Sequence, residues 1–220
     1  MTGVIRRAGW VEPERGLNYA AIGATSTEAV LSYPPEGFRP AQSHHRIGSG
    51  ASRFELAGRE LMTWGALRRA GVIVRDIAAE PGRPDSGRVD PVRGEPSGQR
   101  GGGTSRARFL EDGTPWVTPG MTATLVVGGP RAPEAPVKVV WVVDEPGRIG
   151  FAYGSRPGHP LQTEHLLLLE HADDDSVWLT CRSIARPAGN RWLPSAIAYG
   201  RRQRDAERRM LTALHPVHTA

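Results

Sequence analysis

The stretch VKVVWVVDEPGRIGFAYGSRPGHP, residues 137–160, restricts the fold of this chain more than any other. Val137, Val139, Trp141 and Val143 fall on one face of a period-two pattern, Asp144 to Arg148 supply a Pro-Gly turn, and Ile149, Phe151 and Tyr153 resume the alternation. An antiparallel hairpin is expected. On the second strand Gly150, Ala152 and Gly154 leave the other face nearly bare, so a crossing helix or a ligand is expected to lie there.

The same alternation marks further strands. Residues 72–77 and 121–127 read as strands, 39–47 leads into the Gly48-Ser49-Gly50 turn, and 164–171 and 176–183 form a second antiparallel pair across an acidic turn. Thr25-x-x-Glu28 suggests a short helix. Ser52-x-x-Glu55 reads as a capping box, after which Phe54, Ala57, Leu61, Trp64 and Arg68 recur at helical spacing until Gly71. At the C-terminus Pro194 suits a first helical turn, and Trp192, Ala196, Tyr199, Gln203, Ala206, Met210 and Ala213 follow at spacings of four and three. An antiparallel sheet with one apolar face must cover it, and this last helix is the longest apolar stripe available. The expected class is α+β, a curved antiparallel sheet gripping a long C-terminal helix, with space for a ligand beside the bare strand.

The 220 residues have ample length for one core, and one domain spanning 1–220 is the simplest organisation. Residues 81–106 are dominated by Gly, Pro, Arg, Asp and Ser. They bury too little apolar surface to offset ordering entropy and read as a disordered insertion.

The net charge of +5 invites a nucleic-acid partner, but Lys138 is the only lysine, an arginine bias that genome composition explains. On the last helix Asp205 and Glu207 interrupt the arginines, and no aromatic residues interleave with them, so a solvated face is expected there. The single cysteine, Cys181, excludes an internal disulfide and fits a reducing cytoplasm. No segment approaches the ~20 apolar residues of a membrane span, and MTGVIRRAGW lacks a signal-peptide core.

Candidate chemistry gathers after the hairpin. His159 sits in a Gly-His-Pro turn with Glu164 five residues on, and an imidazole oriented by a carboxylate is a general acid or base near neutral pH; a histidine capping its own turn is the alternative. His165 and His171 share a strand face but lie roughly 20 Å apart, and His44 and His45 point to opposite faces, so no metal site is expected. Cys181 alternates with Leu179 and Val177 and reads as core, and no Gly-x-Ser-x-Gly elbow activates a serine. Neither Gly-rich segment has the lysine or spacing of a phosphate loop, and no cofactor is expected. Arg182 has two readings: on the concave face it demands an anionic partner, Glu164 or a ligand carboxylate, and on the convex face it is an ordinary surface residue.

Several blocks together carry a resemblance: Leu17-Asn-Tyr19 with Gly23-Ala-Thr25, His45-Arg46 with Gly48-Ser-Gly50 and Phe54, Trp64 with Gly71, Val143-Asp-Glu-Pro146 with Gly150-Phe-Ala-Tyr-Gly154, Gly158-His-Pro160, and Arg186-Pro-Ala188. They resemble an uncharacterised family known as a domain of unknown function and grouped with the START-like, SRPBCC or birch-pollen-allergen-like helix-grip proteins. The resemblance implies a fold and no established catalytic residues. Where the family pattern has a Gly-Glu-Glu run, this chain has Thr163-Glu164-His165.

Three functions follow as expectations, the third being an interaction module in which the 81–106 insertion and the arginine-rich last helix contact an acidic partner. In the first, a small apolar or amphipathic molecule binds between sheet and last helix, with Tyr153, His159, Glu164, Tyr199 and Gln203 as polar contacts. In the second, a cyclase- or hydrolase-like enzyme uses His159 as acid or base and Glu164 as its orienter.

Overall fold

The alternating segments pair into one seven-stranded antiparallel sheet. The structure, a computed structural model, describes residues 16–79, 108–110, 112–189 and 193–214, so the expected insertion at 81–106 and Trp192 lie outside the described residues. The strands are β1 (Arg39–Ser49), β2 (Val72–Ala78), β3 (Arg108–Phe109), β4 (Pro115–Trp116), β5 (Thr122–Val127), β6 (Glu134–Glu145), β7 (Arg148–Ser155), β8 (Leu161–His171) and β9 (Ser176–Pro187). Their order in the sheet is β1-β9-β8-β7-β6-β5-β2, and β3 and β4 form a separate pair. Four helices accompany them among the described residues: α1 (Ala29–Ser32), α2 (Ala51–Met62), α3 (Gly65–Arg69) and α4 (Leu193–Leu214).

Both faces of the sheet are covered. On one, Leu61 and Trp64 from the α2–α3 unit and Tyr199, Ala206, Met210 and Leu214 from α4 close the main core against Phe151, Tyr153, Leu167 and Leu179. This is the expected helix-grip arrangement, α+β with the C-terminal helix laid on an antiparallel sheet. On the opposite face Leu17 and Ile22 pack on Trp141, Val143, Ala152, Leu166 and Leu168, with Tyr19, Val30, Phe38 and Ile184 beside them. Residues 17–38 therefore act as a strap across the outer face.

Three local expectations are corrected. The run through Arg68 is two helices, because Thr63 donates its hydroxyl to the Arg59 carbonyl at 2.8 Å and Trp64 turns left-handed with φ 62°. The capping box does not form either: Gly50 is the N-cap, with no side-chain cap. In β6 a bulge between Val139 and Trp141 shifts the register, pairing Val139 with Tyr153 but Trp141 with Ala152. An inserted residue reverses the facing of everything beyond it. Val137 and Val139 therefore face the helices, while Trp141 and Val143 face the strap.

The bare strand face is also the strap face. A Cβ on Gly154 would lie 2.3 Å from the Tyr19 hydroxyl, so the missing side chain makes room for a tyrosine rather than for a cavity. Gly154→Ala is expected to cost about 1–3 kcal/mol by overpacking. Denaturant unfolding checks this, and Tyr19→Phe should cost less in the Gly154→Ala background than in the natural chain, because there it also removes the clashing oxygen.

Candidate functional site

The candidate site lies under α4, where the period of 3.6 sets two adjoining stripes of the helix against different parts of the sheet. One stripe carries Tyr199, Gln203, Ala206 and Met210 over β7 and β8, enclosing a cavity of about 20 Å³ with Tyr153, His165 and Leu167. That volume suits a water molecule, which occupies at least ~10–15 Å³ on the same measure. The other stripe carries Arg204, Glu207, Arg208 and Leu211 over β1 and β9, leaving an open cleft of about 300 Å³. The cleft exists because its floor is made of Ala41, Ser43, Cys181 and Ser183, side chains too short to reach the helix. Glu207 lines both spaces.

The small space sets a few polar side chains among apolar ones. Gln203 Nε2 lies 2.7 Å from His165 Nε2, and with the amide donating, that ring nitrogen is the acceptor of an uncharged imidazole. The His165 ring stacks on Tyr153 with centroids 5.5 Å apart. Burial pushes the His165 pKa down to about 4. It raises Tyr153 well above its ordinary value, an effect that a hydrogen bond with Gln203 opposes, and it raises Tyr199 as well. His159 accepts the Leu161 backbone N–H on Nδ1 at 2.9 Å, and its ring meets Tyr199 edge-on at 5.0 Å. Burial, with the neighbouring His165, lowers its pKa to about 3. Glu207 moves the other way, up to about 7, because burial outweighs the attraction of Arg204. Among the described residues no three His, Cys, Asp or Glu side chains gather in a way that would hold a metal ion.

Glu164 stands elsewhere. Strand alternation puts Leu161, Thr163 and His165 on the helix side and Glu164 on the strap side, where it is fully buried. Its carboxylate accepts four hydrogen bonds: from the Tyr19 hydroxyl at 2.6 Å, the Gly23 N–H at 2.7 Å, and the Thr25 N–H and hydroxyl at 2.9 and 2.6 Å. Burial and this carboxylate together push the Tyr19 phenol pKa up. The expected His159–Glu164 pairing is therefore not made. The two side chains point to opposite faces, and every hydrogen bond to Glu164 given above holds the strap.

Arg182 shares that outer face. It donates to Gln42 at 2.6 Å, to the Thr25 carbonyl at 3.0 Å and to Glu28 at 2.9 Å, and only 5 % of the residue is exposed. Neither earlier reading of it holds: its anionic partner is Glu28, and the strap covers what would otherwise be open surface. Next to it Asn18 donates its backbone N–H to the Ser155 carbonyl at 3.1 Å and accepts the Ser155 hydroxyl at 2.6 Å.

Three expected contacts, Tyr153, Tyr199 and Gln203, thus meet in one place; His159 supports Tyr199 from outside the lining of either space, and Glu164 is absent. Sequence reasoning passed over His165 and Glu207. The signal for Glu207 was its spacing, four residues after Gln203 and three before Met210, which sets it on the border of the apolar stripe rather than on the solvated face. His165 was legible by its parity with Leu161 and Thr163.

With this geometry in place, the chain can be set beside known proteins. The family model described as Domain of unknown function (DUF1990) matches residues 18–94 and 103–213. The chain belongs to this family. The match breaks within the segment read as an insertion, and its ranges include every block that carried the resemblance except Leu17. A UPF0548 protein of Deinococcus radiodurans is 41% identical over 51 residues, 23% of this chain and 26% of that protein, so the match spans about a quarter of that relative's length. Among solved structures, a hypothetical protein from Helicobacter pylori aligns over 84% of this chain and 93% of its own with 10% identity and a TM-score of 0.48. A Deinococcus radiodurans protein aligns over 76% and 98% with 15% identity and a TM-score of 0.33. Ara h 8.0201 aligns over 81% and 98% with 10% identity and a TM-score of 0.42. No helix among the described residues is long and apolar enough to cross a membrane.

Proposed function

We propose that this DUF1990 protein binds a small apolar or amphipathic molecule between its sheet and α4, in the cleft over β1 and β9. One observation carries this reading: α4 spans a floor of short side chains and leaves about 300 Å³ of space beside a buried polar cluster. That is the lower end of the range for small-molecule sites, ~300–1,000 Å³. Tyr153, Tyr199 and Gln203 stand behind Glu207 as the polar end of the site, and Leu211 and Cys181 supply apolar surface. The buried free thiol of Cys181 supports a cytoplasmic setting. No reaction is assigned, since the pair of groups that an acid–base mechanism here would need lies on two faces of the sheet.

The test uses 1-anilinonaphthalene-8-sulfonate as a probe, followed by amide chemical shifts. Perturbations are expected at Ser43, Cys181, Ser183 and residues 204–211, and Ser183→Trp, which fills the cleft, should weaken binding at least tenfold. Shifts confined to another surface, or undiminished binding by Ser183→Trp, would overturn the reading.

A further inference from the structure

The composition of the cleft selects the charge of its occupant. Arg204 and Arg208 are exposed at its rim, Glu207 and Leu211 lie deeper, and the Ser43 hydroxyl is buried on the floor beside the Cys181 thiol. Two guanidiniums line the entrance beside the Glu207 carboxyl, Arg208 also lying 4.0 Å from Asp205 on its own helix, and arginine is suited to holding a carboxylate. Glu207 would oppose an anion if it were ionised. Its position between the two spaces, however, keeps it poorly hydrated, and its pKa stands at about 7.

We propose that the cleft takes a free amphiphile with a single carboxylate, held by Arg204 and Arg208 at the rim and hydrogen-bonded by a protonated Glu207, with its alkyl tail over Cys181 and Leu211. This rests on the binding reading above and adds the ligand's chemical class. Two like charges do not share one site, so binding an ionised carboxylate draws a proton onto Glu207. The ionisable groups sharing the two spaces with Glu207 are His45 from β1, Cys181 from β9, Tyr153 from β7, His165 from β8, and Tyr199, Arg204 and Arg208 from its own helix. Burial raises the pKa values of Cys181, Tyr153 and Tyr199 and holds His165 neutral, so none of these four changes charge between pH 6 and 8. His45, at the exposed rim, is tested directly by His45→Gln.

Calorimetric titrations of the full chain with decanoate, decanol and decylamine, each below its micellar concentration, test the proposal at pH 6 and pH 8. Decanoate is expected to bind at least tenfold tighter than decanol at pH 6, and about tenfold tighter at pH 6 than at pH 8, the factor that uptake of one proton at a group titrating near 7 produces. The Arg204→Gln/Arg208→Gln double variant should lose the preference for decanoate. Glu207→Gln should keep decanoate binding and lose its pH dependence, whereas His45→Gln should keep both. Decanol or decylamine binding as tightly as decanoate would overturn the charge assignment while leaving the cleft as a binding site. A pH dependence that survives Glu207→Gln would overturn the role given to that carboxyl. Failure of all three probes, or decanoate binding undiminished by Ser183→Trp, would overturn this inference together with the reading beneath it.

Discussion

Replacing Glu164 is expected to loosen the outer face of the sheet more than any other single change. The carboxylate is fully buried and gathers four donors from residues 19–25, two of them backbone N–H groups with no other partner given. Hydrogen bonds to a charged group contribute about 1.5–3 kcal/mol each, and donors left buried without an acceptor cost about as much. Glu164→Leu should therefore destabilise by about 3–5 kcal/mol, a large part of a typical domain stability of ~5–15 kcal/mol. Glu164→Gln keeps the shape but turns an amide N–H₂ toward two of those donors, and should cost about 2–4 kcal/mol. Tyr19→Phe removes one bond and should cost about 1–2 kcal/mol. Urea unfolding measures the totals, and hydrogen exchange at the Gly23 and Thr25 amides locates them. If Glu164→Gln shifts the unfolding free energy by less than about 0.5 kcal/mol, or leaves those two amides as protected as before, the carboxylate is not what holds the strap.

This clamp also explains why the resemblance blocks lie where they do in the chain. Asn18 and Tyr19, Gly23 to Thr25, Gly154 and Ser155, and Arg186 are far apart in sequence, and all of them meet around Glu164 and the strap. Arg186 contributes by lying over the Phe38 ring, 4.6 Å from its centroid. These blocks are thus a fastening for the N-terminal segment, whereas the His45-Arg46 and Gly158-His-Pro160 blocks lie on the α4 side, His45 lining the cleft and His159 meeting Tyr199.

The elements of the sheet were legible because alternation and turn residues act locally. β2, β5, β7 and α4 fall where period and breakers put them. What could not be read was the facing of residues beyond a register shift. Nothing local in VKVVWVVDE announces that Val140 is the extra residue, yet that insertion separates Val139 from Trp141 in facing. The same reasoning explains the misplaced Glu164. Its parity relative to His165 was clear, but a carboxylate five residues after the turn histidine His159 suggests a shared site, and only the strap, more than a hundred residues away in sequence, supplies the competing partners. Tyr153, Tyr199 and Gln203 come together around one small cavity because each sits on an apolar stripe whose facing is set by bulk burial rather than by one partner.

Acid should weaken the protein in a manner that two histidines and one glutamate determine between them. His159 and His165 titrate in the fold at about 3 and about 4 against an ordinary 6.5, so they take up protons only on unfolding, and the stability they confer is complete above pH 6.5 and declines as pH falls. Glu207 has the opposite sign. Its folded value of about 7 against an ordinary 4.5 means that its contribution is complete below pH 4.5 and is lost as pH rises toward 7. Between pH 6.5 and 4.5 unfolding therefore takes up about two protons at the histidines and releases about one at Glu207. The net of about one proton costs ~1.4 kcal/mol per pH unit, or ~3 kcal/mol across the window. Asp112 and Asp174, held below the usual carboxylate range by hydrogen bonds from Thr114 and Ser176, enter only nearer pH 4. Glu207→Gln removes the opposing proton and should roughly double the loss, while His165→Gln should leave stability nearly level across the same window. Urea unfolding at pH 6.5, 5.5 and 4.5 reads all three slopes. Equal slopes for the natural chain and Glu207→Gln would mean that the carboxyl facing the cleft is hydrated and ionised, and would remove the physical basis for coupling ligand binding to its protonation.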